Sequence, residues 1–422
     1  MKQAGSCMPS GEWLRLRTRV CVKPVRMWII LLAIFAGVVP AAAFSQTESS
    51  ADKARQQALA LERQGQVQEA VAAWQSFVKL APSNPEGYAH LGLLEAHQER
   101  YNEAIPLYRK ALALSPGMPG LRMDLGLALF KSGDLREASV EFHQLLKSEP
   151  GSSPEALRLE TLIGLADYGD GQYAAAIPYL KDATAHDPSN LPFRLLLAHS
   201  CLWSRQYDCV LDVYHQILTL NADSAEADML AGEAYDEMKN DLAAMQQFRA
   251  AVHADPKLPN VHFGLGYLLW RHMEYGEAAD QFKAELANNP DHAQALTYLA
   301  DSEIRMGHPE LAQPLLMRAI ARNPGIALAH LDLGDLYANE GQKEKALHEL
   351  QEAERLDPSN VDVHWRLARF YQSEGKKEEA KAEFEKTRQM KQAANASIFS
   401  KLKQAQERGD PDQTRDAAPA GK

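Results

Sequence analysis

The chain has 422 residues, of which 45% are hydrophobic and 24% charged, a balance that excludes a disordered or low-complexity polymer. Lysines and arginines number 45 against 56 aspartates and glutamates, a net charge of −11. Six bases (Lys2, Arg15, Arg17, Arg19, Lys23, Arg26) and one acid (Glu12) fall before residue 44, so the remainder is more acidic still and argues against nonspecific binding to nucleic acid or to an anionic membrane surface.

Met27 to Val39 reads MWIILLAIFAGVV, an uncharged apolar run between a basic flank and Pro40-Ala41-Ala42-Ala43. That order is expected of a secretory signal peptide over residues 1–43, cleaved after Ala43. The run is short for a spanning helix, which needs about 20 residues; an uncleaved N-terminal membrane anchor is the alternative. Either reading exports the remainder of the chain, to the periplasm or cell envelope if the source is bacterial, with residues 44–50 as a linker.

From residue 51 a fixed period governs the chain. Prolines fall at 82, 116, 150, 188, 256, 290, 324 and 358, mostly 34 residues apart, with Ala222 standing where one more would fall. One step is 38, which places a four-residue insert at Ser153–Ala156. Cutting at this period gives ten units, starting at Ala51, Pro85, Pro119, Leu157, Leu191, Ala225, Pro259, Ala293, Ala327 and Val361. Position 8 of each unit is Gly or Ala, from Ala58 and Gly92 to Ala368. Position 20 is Ala throughout, as in Ala70, Ala244 and Ala278, except at Val210. Position 24 is large and apolar, as in Trp74, Tyr108, Phe142 and Phe282. Apolar spacing predicts two helices per unit, with a turn near position 15 that is often Gly (65, 133, 171, 307, 341, 375). Small residues at 8 and 20 let the helices approach, the large one at 24 fills the space beside them, and proline at 32 ends the second helix. One such unit cannot bury its own apolar face, so neighbours must stack.

Tyr88, Leu91, Gly92, Ala104, Tyr108, Ala111 and Pro116, and again Leu333, Gly334, Tyr337, Ala346, Ala353 and Pro358, reproduce a W-x2-L-G-x2-Y, A-x3-F, A, P pattern. The chain thus resembles the tetratricopeptide repeat family from Ala51 to about Met390. The resemblance implies an all-α fold: a right-handed superhelical solenoid of about ten helix-turn-helix repeats. Repeats 1–3 would occupy residues 51–152, the insert 153–156 and repeats 4–10 residues 157–390. Lys391 to Gln406 continues as a helix with Ala394, Ile398 and Leu402 on one face, giving a C-terminal capping helix over 391–407 and a polar, disordered tail over 408–422.

The least regular unit, Leu191 to Ser224, has Arg205 at the turn, Val210 at position 20 and Ile217 at position 27. It reads either as a specialised segment or as ordinary drift compensated by packing. Its Cys201 and Cys209 flank the turn and face each other across the hairpin, fit for a disulfide in an oxidising compartment or for two buried thiols. Glu285, at position 27 of its own unit where Ala is usual, needs a partner or an edge.

In the family the first helix of each unit lines a concave groove that binds proteins or peptides. The matching positions here carry Phe130, Tyr168, His199, Trp203, Met229, Phe263, Tyr267, Trp270, Tyr298 and Trp365, with Arg271, Arg305, Arg366 and Arg369 among them. Aromatic anchors surrounded by arginine are the residue types of binding hot spots. The Lys and Asn with which some members clamp a C-terminal carboxylate are absent from those positions, so that mode is not expected. No H-E-x-x-H, C-x-x-C, phosphate loop or G-x-S-x-G occurs, and His90 and His97 share a face without a third ligand, so neither enzyme, metal site nor cofactor is expected. Ser76-Phe77-Val78-Lys79 fits S-x-x-K inside a second helix without companions. The expected function is an exported noncatalytic scaffold in the assembly of a pilus, secretion system or surface-polymer machine; an accessory or regulatory subunit of an envelope enzyme is the alternative.

Overall fold

The structure, a computed structural model, describes residues 49–151 and 153–408, with side chains except at 398 and 401–408. The expected signal peptide or anchor, nearly all of the linker, the tail beyond Arg408 and the cap side chains Ile398 and Leu402 lie outside this description. All twenty described helices fall in the unit Ser50–Lys422, and no strand occurs among the described residues. They pair as α1 (Ser50–Arg63) with α2 (Val67–Leu80), α3 (Pro85–His97) with α4 (Tyr101–Leu114), α5 (Leu121–Ser132) with α6 (Leu135–Leu146), α7 (Pro154–Gly169) with α8 (Tyr173–His186) and α9 (Leu191–Trp203) with α10 (Tyr207–Leu220). The pairs continue as α11 (Ala225–Glu237) with α12 (Asp241–Ala254), α13 (Val261–Arg271) with α14 (Tyr275–Asn288), α15 (Ala293–Arg305) with α16 (Pro309–Arg322), α17 (Ala327–Asn339) with α18 (Lys343–Leu356) and α19 (Val361–Ser373) with α20 (Lys377–Arg408). Each helix packs on its pair mate and on the next helix in the chain, the order of a tetratricopeptide solenoid. First helices of neighbouring units also approach one another, as α9 does α11 and α13 does α15.

The recurring motifs have structural causes. In each Pro-Ser-Asn the asparagine caps the next first helix: Asn84 accepts from the Glu86 N–H at 2.9 Å, Asn190 from Phe193 at 3.1 Å and Asn360 from Asp362 at 3.0 Å. The carbonyl of the periodic proline is bound by the following unit, at 3.2 Å by the Tyr88 hydroxyl on Pro82, and at 3.1 and 3.0 Å by His330 and His364 on Pro324 and Pro358. The proline therefore does more than stop a helix; it presents an acceptor at the junction.

Position 8 meets position 24 within the pair. A Cβ placed on Gly92 would lie 2.7 Å from the Tyr108 ring, one on Gly126 2.6 Å from Phe142 and one on Gly266 2.8 Å from Phe282. Trp74, Phe142, Leu180, Phe282, Leu316 and Leu350 are fully buried at position 24, as are Ala70, Ala104 and Ala278 at position 20. The apolar cores interleave along the stack: one joins Ala176 and Leu180 to Leu197, Cys201 and Val210 and on to Ala227 and Leu230. The irregular fifth unit is thus packed into the array like the others.

The four-residue insert is helical: Ser153 caps α7 by accepting from the Ala156 N–H at 3.0 Å, and the insert becomes the first turn of a 16-residue helix. α20 runs unbroken from the last repeat through Arg408, the first residue of the expected tail, and its described side chains beyond Met390 are exposed. Among the described residues no helix is long and apolar enough to cross a membrane.

Candidate protein-binding groove

The first helices carry the predicted ring residues in three groups. In the first, Tyr168 of α7 stacks with Trp203 of α9 at 6.3 Å between centroids, and His199 lies 5.5 Å from the same indole. Tyr173, which opens α8, approaches Trp203 more closely, at 4.4 Å. Trp203 remains 51% exposed.

The second group spans α13 and α15. Tyr298 lies edge-on to Tyr267 at 5.3 Å and to Trp270 at 4.9 Å, while Phe263 stands 6.0 Å from Tyr298 and 4.8 Å from His292 in the preceding turn. Edge-to-face contacts of this kind fix the orientation of the rings. The Trp270 indole N–H donates to Asp301 at 2.6 Å, and Asp301 also accepts from Arg305 at 3.3 Å. Burial raises the pKa of the Tyr298 hydroxyl to about 12, with Tyr267 and Asp301 adding to the effect.

The third group lies on α17 and α19. The Arg369 guanidinium sits 4.9 Å above the half-exposed Trp365 ring. Arg366 reaches back to Asp332 at 3.0 Å and Asp335 at 2.7 Å. Asp332 is fully buried, and its second carboxylate oxygen has no hydrogen-bond partner. Burial, then the charge of Asp301, pushes its carboxyl up to about 7 against the pull of Arg366.

The remaining predicted residues have other surroundings. Phe130 is half-buried against the core of the second to fourth units, and Met229 against that of the sixth to eighth. Arg271 passes 5.8 Å from the Tyr267 ring and is bound by Asp236 and Asp241, both at 2.6 Å. Arg271 and Arg366 thus tie adjacent units together. Cys201 and Cys209 are bonded, joining α9 to α10 beside Trp203. Glu285 is buried and accepts the N–H groups of Asn260 at 3.2 Å and Phe263 at 3.3 Å, so it caps α13 from the neighbouring helix.

Sequence reasoning missed Tyr173, His292 and Asp332. The first two lie outside the first helices, in a second helix and a turn. Asp332 occupies position 6 of its unit, a groove position that helical phase alone marks.

Two clusters outside the groove resemble reactive sites. Ser139, His143, Asp167 and Tyr179 line a cleft of about 690 Å³ between α6 and α8. The His143 Nδ1 faces the Ser139 carbonyl at 2.8 Å, its Nε2 meets the Tyr179 hydroxyl at 3.0 Å, and the serine hydroxyl donates to Asp167 at 2.6 Å. A nucleophilic triad needs the histidine between serine and carboxylate; here the carboxylate holds the serine directly. Glu354, His364 and Glu383 gather ligand atoms within 4.8 Å, but the Lys386 ammonium holds both carboxylates, at 3.0 and 2.8 Å. The preceding unit repeats the histidine arrangement, with His330 on Glu349 at 2.6 Å, so the histidine at position 4 meets a glutamate at position 23 in each of the last two helix pairs.

An array of antiparallel helix pairs, locked by a small residue against a large one at a constant period and carrying ring clusters along one set of helices, defines a helical-repeat interaction scaffold. Models of the tetratricopeptide repeat match residues 95–163, 168–210 and 340–404 in one form and 55–119, 263–305 and 297–361 in another. The chain belongs to the tetratricopeptide repeat family. It is 22% identical over 263 residues to Protein CTR9 homolog of Arabidopsis thaliana, covering 60% of this chain and 24% of that protein. It is 32% identical over 119 residues to the Vi polysaccharide export protein VexE of Salmonella typhi, covering 28% and 18% respectively. A solved tetratricopeptide repeat protein from Parabacteroides merdae aligns at 19% identity with a TM-score of 0.44, over 58% of this chain and 96% of that one. The chain thus spans about a quarter of one of these curated relatives and under a fifth of the other.

Proposed function

We propose that this chain is an exported, noncatalytic scaffold that holds partner proteins or peptides along its first helices during assembly of a cell-envelope complex such as a pilus, secretion or surface-polymer machine. The observation that carries the reading is the ring cluster Phe263, Tyr267, Trp270 and Tyr298, four half-buried aromatic side chains gathered from two adjacent units. Rings held by their neighbours lose little freedom on contact with a partner, which is what makes aromatic anchors effective. The envelope assignment is supported by the basic, apolar and small-residue order of residues 15–43 and by the likeness to VexE over 119 residues.

Affinity capture from the envelope fraction tests the groove. Tyr267→Ala with Trp270→Ala should lose the partner bound by wild type while helicity is held at the capture temperature; full retention by that variant overturns the reading. N-terminal sequencing of the protein from fractionated cells tests export. A chain beginning at Phe44 in the envelope fraction is expected, and an intact chain in the cytosol refutes it.

A further inference from the structure

Beside the first ring group lies a cleft of about 390 Å³ whose lining includes Trp203, Arg205, Tyr207, Glu233, Asp236 and Glu237. Its acids are not equally engaged. Asp236 is held by Arg271 at 2.6 Å, and among the described residues Glu237 accepts only the Tyr207 hydroxyl, at 3.4 Å. Glu233, half-buried on α11, forms no hydrogen bond or ion pair among the described residues. Burial raises its pKa, and the charges of Asp236 and Glu237 push the same way against His199. His199 is itself held by Glu226 at 3.0 Å, and no lysine or arginine of the described residues pairs with Glu233.

The chain shows elsewhere in the groove what such a place accepts. At Tyr267 it supplies its own Arg271, 5.8 Å from the ring and paired to two aspartates. At Trp365 it supplies Arg369, 4.9 Å from the ring. At Trp203 no cation of the described residues lies over the indole, and the ring is half exposed. The only cation in the lining, Arg205, makes no ion pair among the described residues. An exposed indole beside unpaired carboxylates is complementary to a planar guanidinium, which stacks on the ring while its N–H fork meets the acids.

We propose that the cleft beside Trp203 receives an arginine of a partner polypeptide segment, its guanidinium on the indole and its charge held by Glu233 and Glu237. This rests on the reading of the first helices as a protein-binding surface and adds the chemistry of one anchor.

The probe is a fluorescein-labelled peptide of alternating arginine and serine, followed by anisotropy at low salt, beside the same peptide with citrulline in place of arginine. Citrulline keeps the planar shape and removes the charge. Wild type should bind the arginine peptide saturably and the citrulline peptide at least about tenfold more weakly. Glu233→Gln and Trp203→Ala should each cost about tenfold in affinity with circular dichroism unchanged, whereas Arg205→Ala should tighten binding. Equal binding of both peptides, or an unchanged affinity in Glu233→Gln, overturns the proposal. Partner capture separates the two levels. If Trp203→Ala and Glu233→Gln still capture the envelope partner and the Tyr267/Trp270 double variant does not, the arginine site is wrong and the groove stands. If all of them capture it in full, the groove reading falls as well.

Discussion

At position 15 of all ten units the backbone enters the left-handed region. Six units use glycine, with φ between 72° and 94°, and four use Glu99, Arg205, Lys239 and Met273, with φ between 57° and 63°. A side chain in this region costs about 1–2 kcal/mol, part of which glycine gives back through its freer unfolded chain. Lys239→Gly and Met273→Gly should therefore stabilise the protein by about 0.5–1 kcal/mol each, seen as a higher urea midpoint with an unchanged slope. The opposite holds at position 20. Ala278 is fully buried against its pair mate, so Ala278→Leu should overpack the contact and cost about 1–3 kcal/mol. A wild-type melting temperature in that variant would refute the helix contact.

At the scale of a helix pair, the Cys201–Cys209 bond closes a short loop, with a sequence separation of 8, between α9 and α10. Replacing both cysteines by alanine should remove about 2–3 kcal/mol and make the melting temperature insensitive to dithiothreitol. The α15, α17 and α19 contact carries a different load. Asp332 has its pKa raised to about 7 in the folded chain, well above its unfolded value. The native state therefore binds the proton more tightly than the unfolded state, and stability falls as pH rises from about 4 through 7. Asp332→Asn keeps an acceptor for Arg366 without the buried charge. It should flatten this fall and melt no lower than wild type at pH 8; a pH profile identical to wild type would refute the assignment.

Across the whole array, each core is shared by consecutive units, so stability adds along the stack instead of residing in one centre. The last units end on the buried residues Ala380, Glu383 and Thr387 of α20. Because the described side chains of 391–397, 399 and 400 are exposed, a stop codon after Met390 should change the unfolding free energy by less than about 1 kcal/mol. A larger loss would show that the distal part of α20 shields the end of the solenoid.

The period, the ten helix pairs, the meeting of positions 8 and 24 and the phase of the ring residues were all legible in the amino-acid order. They depend on contacts within a unit or between its nearest neighbours, and those recur with the period. Tertiary structure alone decided which groove residues face a partner and which serve the array. Trp203 and Arg271 look alike in helical phase, yet one is left half exposed and the other is bound between two aspartates. The difference arises because ion pairs and ring contacts across 30 to 36 residues depend on the rise and rotation from one unit to the next. Helix-end contacts outside the repeating pattern make a helical turn of the insert at Ser153 and cap α13 with the buried Glu285 of its own pair mate. Side-chain period defines a unit; only the stacking of units decides which polar groups and rings remain without a partner inside the chain.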